Sequence, residues 1–146
     1  MNPAERIQSD PRGRRWGGLD WSEWYSLAKT GDGSGLVPRE MGIYRVRRTG
    51  DPELIYVGIS DTLRQRISGL RNNSGHSAAD CVAAHRNPGH DIEVSWATVG
   101  QMYIDGRISE EHERRELLGL EVDLIAACRW LFGHSPACQH HGSPLG

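Results

Sequence analysis

Gly42-Ile43-Tyr44-Arg45-Val46 and Leu54-Ile55-Tyr56-Val57-Gly58-Ile59, with Thr49-Gly50-Asp51-Pro52 between them, read as two strands of a β-hairpin. Ile43 to Val46 and Leu54 to Ile59 are rich in β-branched and aromatic residues. The Gly-Asp-Pro segment that separates them is strong turn chemistry. Such a hairpin is antiparallel, and adjacent antiparallel strands can bring Tyr44 and Tyr56 to one face.

Outward from the hairpin, Ser60 or Asp61 is placed to cap a helix on which Leu63, Ile67 and Leu70 share a face. Ser77 to His85 reads as a short helix ended before Asn87-Pro88-Gly89, and Ile92 to Val99 as a third strand. Ile108 to Phe132 is a long helical stretch, with Gly119 the position where it would break and Leu117, Leu120, Leu124 and Leu131 pointing inward. Ahead of the hairpin, Met1 to Arg15 is polar and rich in Pro, Gly and Arg, the composition of a flexible arm. Leu19 to Leu27, with three aromatic residues and Asp20 as N-cap, reads as a short helix pinned to the core by its Trp residues. The expected division is an N-terminal arm with a Trp-rich helix over 1–38 and one folded domain over 39–146. The expected fold class is α/β, a small three-stranded antiparallel sheet flanked by helices.

The 146 residues suit one domain, and 37% hydrophobic content is ordinary for a globular chain. No stretch approaches the roughly 20 apolar residues of a membrane span, and no apolar run follows the N-terminal charges, so a cytoplasmic protein is expected. Cys81, Cys128 and Cys138 are an odd set, which suits free thiols in a reducing compartment. The net charge is -2, but the charges are segregated. Arg39 to Arg71 holds seven Arg against four acids, net +3, and Gly100 to Ile125 holds three Arg against seven acids, net -4. A basic face beside an acidic helix suits a phosphate-binding surface next to a metal site, although solvated surface explains both segments as well. Arg45, Arg47, Arg64 and Arg71 are the candidate DNA contacts.

Gly42-Ile43-Tyr44, Tyr56-Val57-Gly58, Leu63-Arg64-Gln65-Arg66 on the helix after the hairpin, and Leu120-Glu121-Val122-Asp123-Leu124-Ile125 on the last helix form a set with fixed spacing. In that set the chain resembles the GIY-YIG nuclease superfamily over about Met41 to Gln139. The resemblance implies a GIY-YIG-like α/β sandwich and a metal-dependent endonuclease that hydrolyses DNA phosphodiester bonds. A Tyr is the implied general base, an Arg contacts the phosphate and a Glu binds the metal. These roles fall on Tyr44, Arg66 and Glu121, with Tyr56 assisting; which Tyr is the base stays open. The physical chemistry agrees. A phenol with a pKa of about 10 needs help to take a proton from water, and a divalent cation supplies it. Mg²⁺ or Mn²⁺ needs only one or two protein carboxylates, here Glu121, and Arg66 offers a planar, charge-assisted donor to the transition state.

Two positions depart from the family pattern. Leu70 stands where many members have a His or Tyr, leaving the role vacant or passing it to His76 or His85. Gln139, in Gly133-His134-Ser135-Pro136-Ala137-Cys138-Gln139, stands where an Asn usually completes the site, offering the same amide one methylene further out. Cys81 and His85 at i and i+4, and Cys138, His140 and His141 near the end, raise a structural zinc site. Without a CxxC, its ligands would have to converge from far apart, so zinc is not expected. The competing function is a non-catalytic nucleic-acid-binding or assembly module. Specificity is expected from loops, the arm, a homodimer or a separate DNA-targeting partner.

Overall fold

The computed structural model describes residues 10–74, 78–86, 91–98 and 110–139. In chain order come strands β1 (Tyr25–Ser26), β2 (Gly42–Arg48) and β3 (Leu54–Ser60), helices α1 (Leu63–Arg71) and α2 (Ala79–Ala84), strand β4 (Ile92–Thr98) and helix α3 (Glu110–Phe132). The strands form one antiparallel sheet in the order β1-β4-β2-β3. Among the described residues the sheet therefore has four strands, not three.

The additional strand comes from the segment expected to be helical. Ser22 donates its backbone N–H to the Trp96 carbonyl (2.7 Å) and accepts the Trp96 N–H on Oγ (3.0 Å), so the chain runs extended beside β4 into Tyr25–Ser26. Asp20 consequently caps no helix. The tryptophans still anchor the segment: Trp16 and Trp21 are buried, with rings 5.9 Å apart.

The central strand β2 is buried from Gly42 to Val46, and its alternation splits the core in two. Tyr44 and Val46 join Leu63, Ile67, Leu70 and Val82 on the face covered by α1 and α2. Ile43 joins Val57, Leu117, Leu120 and Leu124 on the face covered by α3. Burying such a side chain fully stabilises the fold by about 1.5–3 kcal/mol relative to exposure. Helix α3 runs through Gly119 without a break. Leu131 is 42% exposed rather than inward. A helix of 23 residues is about 34 Å long and a strand of seven about 23 Å, so the apolar stripe outruns the sheet.

Helix α1 starts without a side-chain cap. Its first N–H groups instead find backbone carbonyls of the segment before β2: Leu63 bonds Glu40 and Arg64 bonds Pro38, each at 3.0 Å. Ser60 Oγ folds onto the Thr62 backbone. Val99, His76, Asn87, Pro88, Gly89 and Ile108, which bear on several sequence expectations, lie outside the described residues, as do His140 and His141. Among the described residues, no helix is long and apolar enough to cross a membrane.

Candidate active site

The register of the hairpin sets the two tyrosines. Tyr44 lies opposite Gly58 and Tyr56 opposite Val46, so they are diagonal neighbours on one face. Their ring centroids are 5.8 Å apart at 38°. Gly58 makes this possible: a Cβ there would stand 2.7 Å from Tyr44 Oη and 2.6 Å from Tyr56 Cε1. Gly42 is equally constrained, because a Cβ would stand 2.5 Å from the Ala97 carbonyl oxygen and 2.6 Å from Leu63 Cδ1. The two glycines thus allow the close packing of strand, helix and phenol.

The Tyr44 and Tyr56 hydroxyls are hydrogen-bonded to each other. Burial raises the Tyr44 pKa well above that of a free phenol; Tyr56 adds to the rise and the Arg66 cation opposes it. Tyr56, half-buried, is also raised, by burial and then by the Glu121 charge, with the Tyr44 bond and Arg66 opposing. Both phenols are therefore protonated at neutral pH unless a further positive charge is brought to them. Glu121 on α3 is half-buried. Burial raises its pKa, and a hydrogen bond from the Ile59 backbone N–H opposes the rise.

Glu121 belongs to the helix on the opposite face of the sheet, yet its charge is felt by both tyrosines. The free edge of β3 explains how. Successive outward-facing backbone groups are taken by other parts of the chain: the Ile55 carbonyl by the Cys138 N–H (2.8 Å), both polar groups of Val57 by the Gln139 amide (2.9 and 2.6 Å), and the Ile59 N–H by Glu121. Glu121 thus reaches round the strand edge. A cleft of about 400 Å³ opens beside Arg66, between Ser60, Asp61, Thr62, Gln65 and Gly69. A smaller one joins Arg66 and Asp61 to Leu117 of α3. Ser60 and Asp61, expected as helix caps, line the cleft, and their place directly after Gly58-Ile59 is the sequence signal for it.

Tyr44, Tyr56, Arg66 and Glu121 are therefore brought together. Gln139 lies at the same strand edge, but its amide is committed to the Val57 backbone. Leu70 is buried in the core, and His85 caps the C-terminus of α2 beside Cys81 and Cys138, outside the residues that line the clefts. The expected basic face is thinned. Arg45 is fully buried between Trp21 and Trp24, its guanidinium 4.3 and 4.6 Å from the ring centroids, and cannot meet DNA. Arg47 pairs with Glu93 at 2.9 Å, Arg64 Nε donates to the Val37 carbonyl, and Arg71 donates to the Thr30 carbonyl. The alternation that buries Tyr44 on one face buries Arg45 on the other, which composition cannot show. The free-thiol expectation also fails in part: Cys81 and Cys138 are joined in a disulfide and only Cys128 is free. Burial pushes the Cys128 thiol up to about 12.

No family model and no curated protein matches the chain. Among solved structures, it is similar to the GIY-YIG N-terminal endonuclease domain of UvrC from Thermotoga maritima, in two point mutants each bound to its catalytic divalent cation. The TM-scores are 0.45 and 0.43, at 22% identity, over 70% of this chain and 86% of the other.

Proposed function

We propose that this chain is a metal-dependent endonuclease of the GIY-YIG type that hydrolyses DNA phosphodiester bonds. The observation that carries the reading is the convergence of Tyr44, Tyr56, Arg66 and Glu121 from two strands and two helices that pack on opposite faces of the sheet. Four residues fixed by motif spacing meet at one strand edge, beside an open cleft.

The donor chemistry suits a divalent cation. Glu121 is a half-buried carboxylate whose pKa is raised by burial, and a cation beside it removes that penalty. Glu121 would hold Mg²⁺ or Mn²⁺ with water filling the remaining positions. When bound, the ion would acidify a water and draw charge from the phosphate. The chain's own residues do the rest. Tyr44 and Tyr56, hydrogen-bonded to each other, orient the water that attacks phosphorus from the side opposite the leaving oxygen. With the cation's positive charge brought to the pair, one phenol would lose its proton to solvent; the phenolate left behind accepts the water's proton as the new P–O bond forms and the old one breaks, and the departing oxygen takes up a proton from solvent. Arg66 donates to the phosphate oxygens, where negative charge accumulates. Gln139 acts as a positioning residue: by holding Val57 it fixes the strand that carries Tyr56. Arg64, partly exposed and lining a neighbouring cleft with Arg39, Thr62, Gln65 and Ser68, remains a candidate for phosphate contact. Residues outside 39–146, a second copy or a DNA-targeting partner would supply sequence preference.

A binding or assembly module without activity is the second reading. It is favoured by Leu70, which is buried and transfers no proton, and by the engagement of Arg45, Arg47 and Arg71 within the fold. A plasmid-nicking assay with and without Mg²⁺ separates the two, with Glu121→Gln as the control. Cation-dependent nicking lost in the variant supports the nuclease. DNA binding without nicking in Mg²⁺ or Mn²⁺ supports the module.

A further inference from the structure

A second cluster of ligand-type side chains lies apart from the cleft. Cys81 on α2 and His85, the residue that caps its C-terminus, stand one turn apart, and Cys138 reaches them from the segment after α3. The two sulfurs and an imidazole nitrogen all lie within 4.8 Å of one another. We propose that Cys81, His85 and Cys138 form a zinc site when the thiols are reduced, and that the disulfide is the oxidised, metal-free form of the same pair.

A disulfide by itself calls for two cysteines and no third partner. Here a histidine meets both sulfurs at one point. The i, i+4 spacing on a helix puts Cys81 and His85 on one face, the local half of the site. Cys138, fully buried, supplies the distant half. Two thiolates and one imidazole are soft and borderline donors that favour zinc and disfavour Mg²⁺. In a tetrahedral site, Zn–S bonds of about 2.3 Å and Zn–N bonds of about 2.0–2.1 Å separate the donor atoms by roughly 3.3–3.8 Å. The Cα atoms of Cys81 and Cys138 are 5.7 Å apart. Once the S–S bond is cut, side-chain rotation alone spreads the sulfurs to that distance. Cys81 and His85 are half-buried, so the outer side of the cluster is open to water as the fourth ligand.

The site would fasten the C-terminal segment to the domain. Cys138 bonds the Ile55 carbonyl, and the adjacent Gln139 holds Val57, on either side of Tyr56 in β3. Two-electron oxidation by a peroxide converts the zinc form to the disulfide: two thiolates, one hydrogen peroxide and two protons give the disulfide and two waters, and Zn²⁺ leaves; a dithiol or phosphine reductant, itself oxidised by two electrons, restores the two thiolates.

The test uses the full chain reduced with a phosphine, with thiols counted to verify that three are free, and Co²⁺ or Zn²⁺ as the probe. We expect one Zn²⁺ retained per chain after buffer exchange. Bound Co²⁺ should show a sulfur-to-metal charge-transfer band with the intense visible bands of tetrahedral coordination. His85→Gln, which leaves both cysteines in place, should weaken the affinity at least tenfold. Cys138→Ser should abolish the charge-transfer band or reduce it to that of one thiolate. Glu121→Gln should leave all of this unchanged, which separates the site from the proposed catalytic cation. A fully reduced chain that shows no charge-transfer band and keeps no zinc overturns the proposal. So does His85→Gln binding Co²⁺ as tightly as the parent. Neither result bears on nicking.

Discussion

The Tyr44 hydroxyl rests directly on Gly58, 2.7 Å from the point where a Cβ would stand. Gly58 is not at a positive φ, so the demand for glycine is steric rather than conformational. Gly58→Ala should drive both phenols off their positions. We expect a stability loss of about 1–3 kcal/mol, the usual cost of overpacking, and a larger proportional loss of nicking. Urea unfolding and nicking rates measured on one preparation check this. Unchanged nicking would mean that the phenol geometry is irrelevant to catalysis.

The tyrosine pair itself predicts a graded result. A general base contributes about 10² to 10⁴ in rate, so Tyr44→Phe should cost within that range and Tyr56→Phe somewhat less. Tyr44→Phe also removes the hydrogen bond that eases proton loss from Tyr56. Each variant keeps its ring and should bind DNA as the parent does. If the double variant falls no further than the worse single one, the two hydroxyls act as a unit. Full activity in both single variants would remove the phenols from the mechanism.

Glu121 predicts a pH signature that needs no turnover. Its pKa is raised in the fold by burial, so the folded chain binds this proton more tightly than the unfolded chain. Its contribution to stability is therefore fully present below the ordinary carboxylate value of about 4.3 and is lost as pH rises through the folded value. In EDTA, Glu121→Gln should gain stability relative to the parent as pH rises across this window. Mg²⁺ should close the gap by stabilising only the parent. Denaturant midpoints at several pH values, with and without Mg²⁺, give the answer. Equal stabilisation of both proteins by Mg²⁺ would place the ion elsewhere.

How much of this was legible beforehand differs by residue. The hairpin, Tyr44 and Tyr56 on one face, and Leu63, Ile67 and Leu70 facing inward all follow from local period and turn chemistry, and the structure has them. The convergence of Arg66 and Glu121 on the tyrosines was carried by motif spacing alone. Strand β1 was not legible, because two residues make no period and the Trp-rich segment is extended by bonds from Ser22 to Trp96, 74 residues away. The meeting of Cys81, His85 and Cys138 depends on a chain return that no local pattern encodes. Arg45 reads as a surface cation until one knows that both faces of β2 are covered.

Arg66 and Arg64 make a paired prediction. Arg66 lines both clefts and acts on both tyrosines, whereas Arg64 Nε is held by the Val37 carbonyl at 2.8 Å. Arg66→Lys keeps the charge but loses the planar fork, so nicking should fall by roughly two orders of magnitude with DNA affinity little changed. Arg64→Ala should mainly weaken binding and flatten its salt dependence. The reverse pattern would exchange the two roles.

Arg45 yields the prediction furthest from the sequence reading. Its Nη1 donates to the Pro11 carbonyl at 2.6 Å, while Nε and Nη2 are buried without a hydrogen-bond partner among the described residues. Burial pulls its pKa down to about 9, so it remains a cation at neutral pH, held by the faces of Trp21 and Trp24. Such a cation is costly to desolvate, and an apolar residue of similar length relieves that cost. Arg45→Met should therefore leave stability unchanged or raise it by about 1–4 kcal/mol. Arg45→Ala, which opens a cavity between two indoles, should lower it by about 2–5 kcal/mol. Neither change should alter the salt dependence of DNA binding, because the guanidinium never reaches solvent. A loss of about one unit of salt slope in Arg45→Met, with the fold intact by circular dichroism, would mean that Arg45 leaves its tryptophan cage to meet phosphate, and the burial argument would fail.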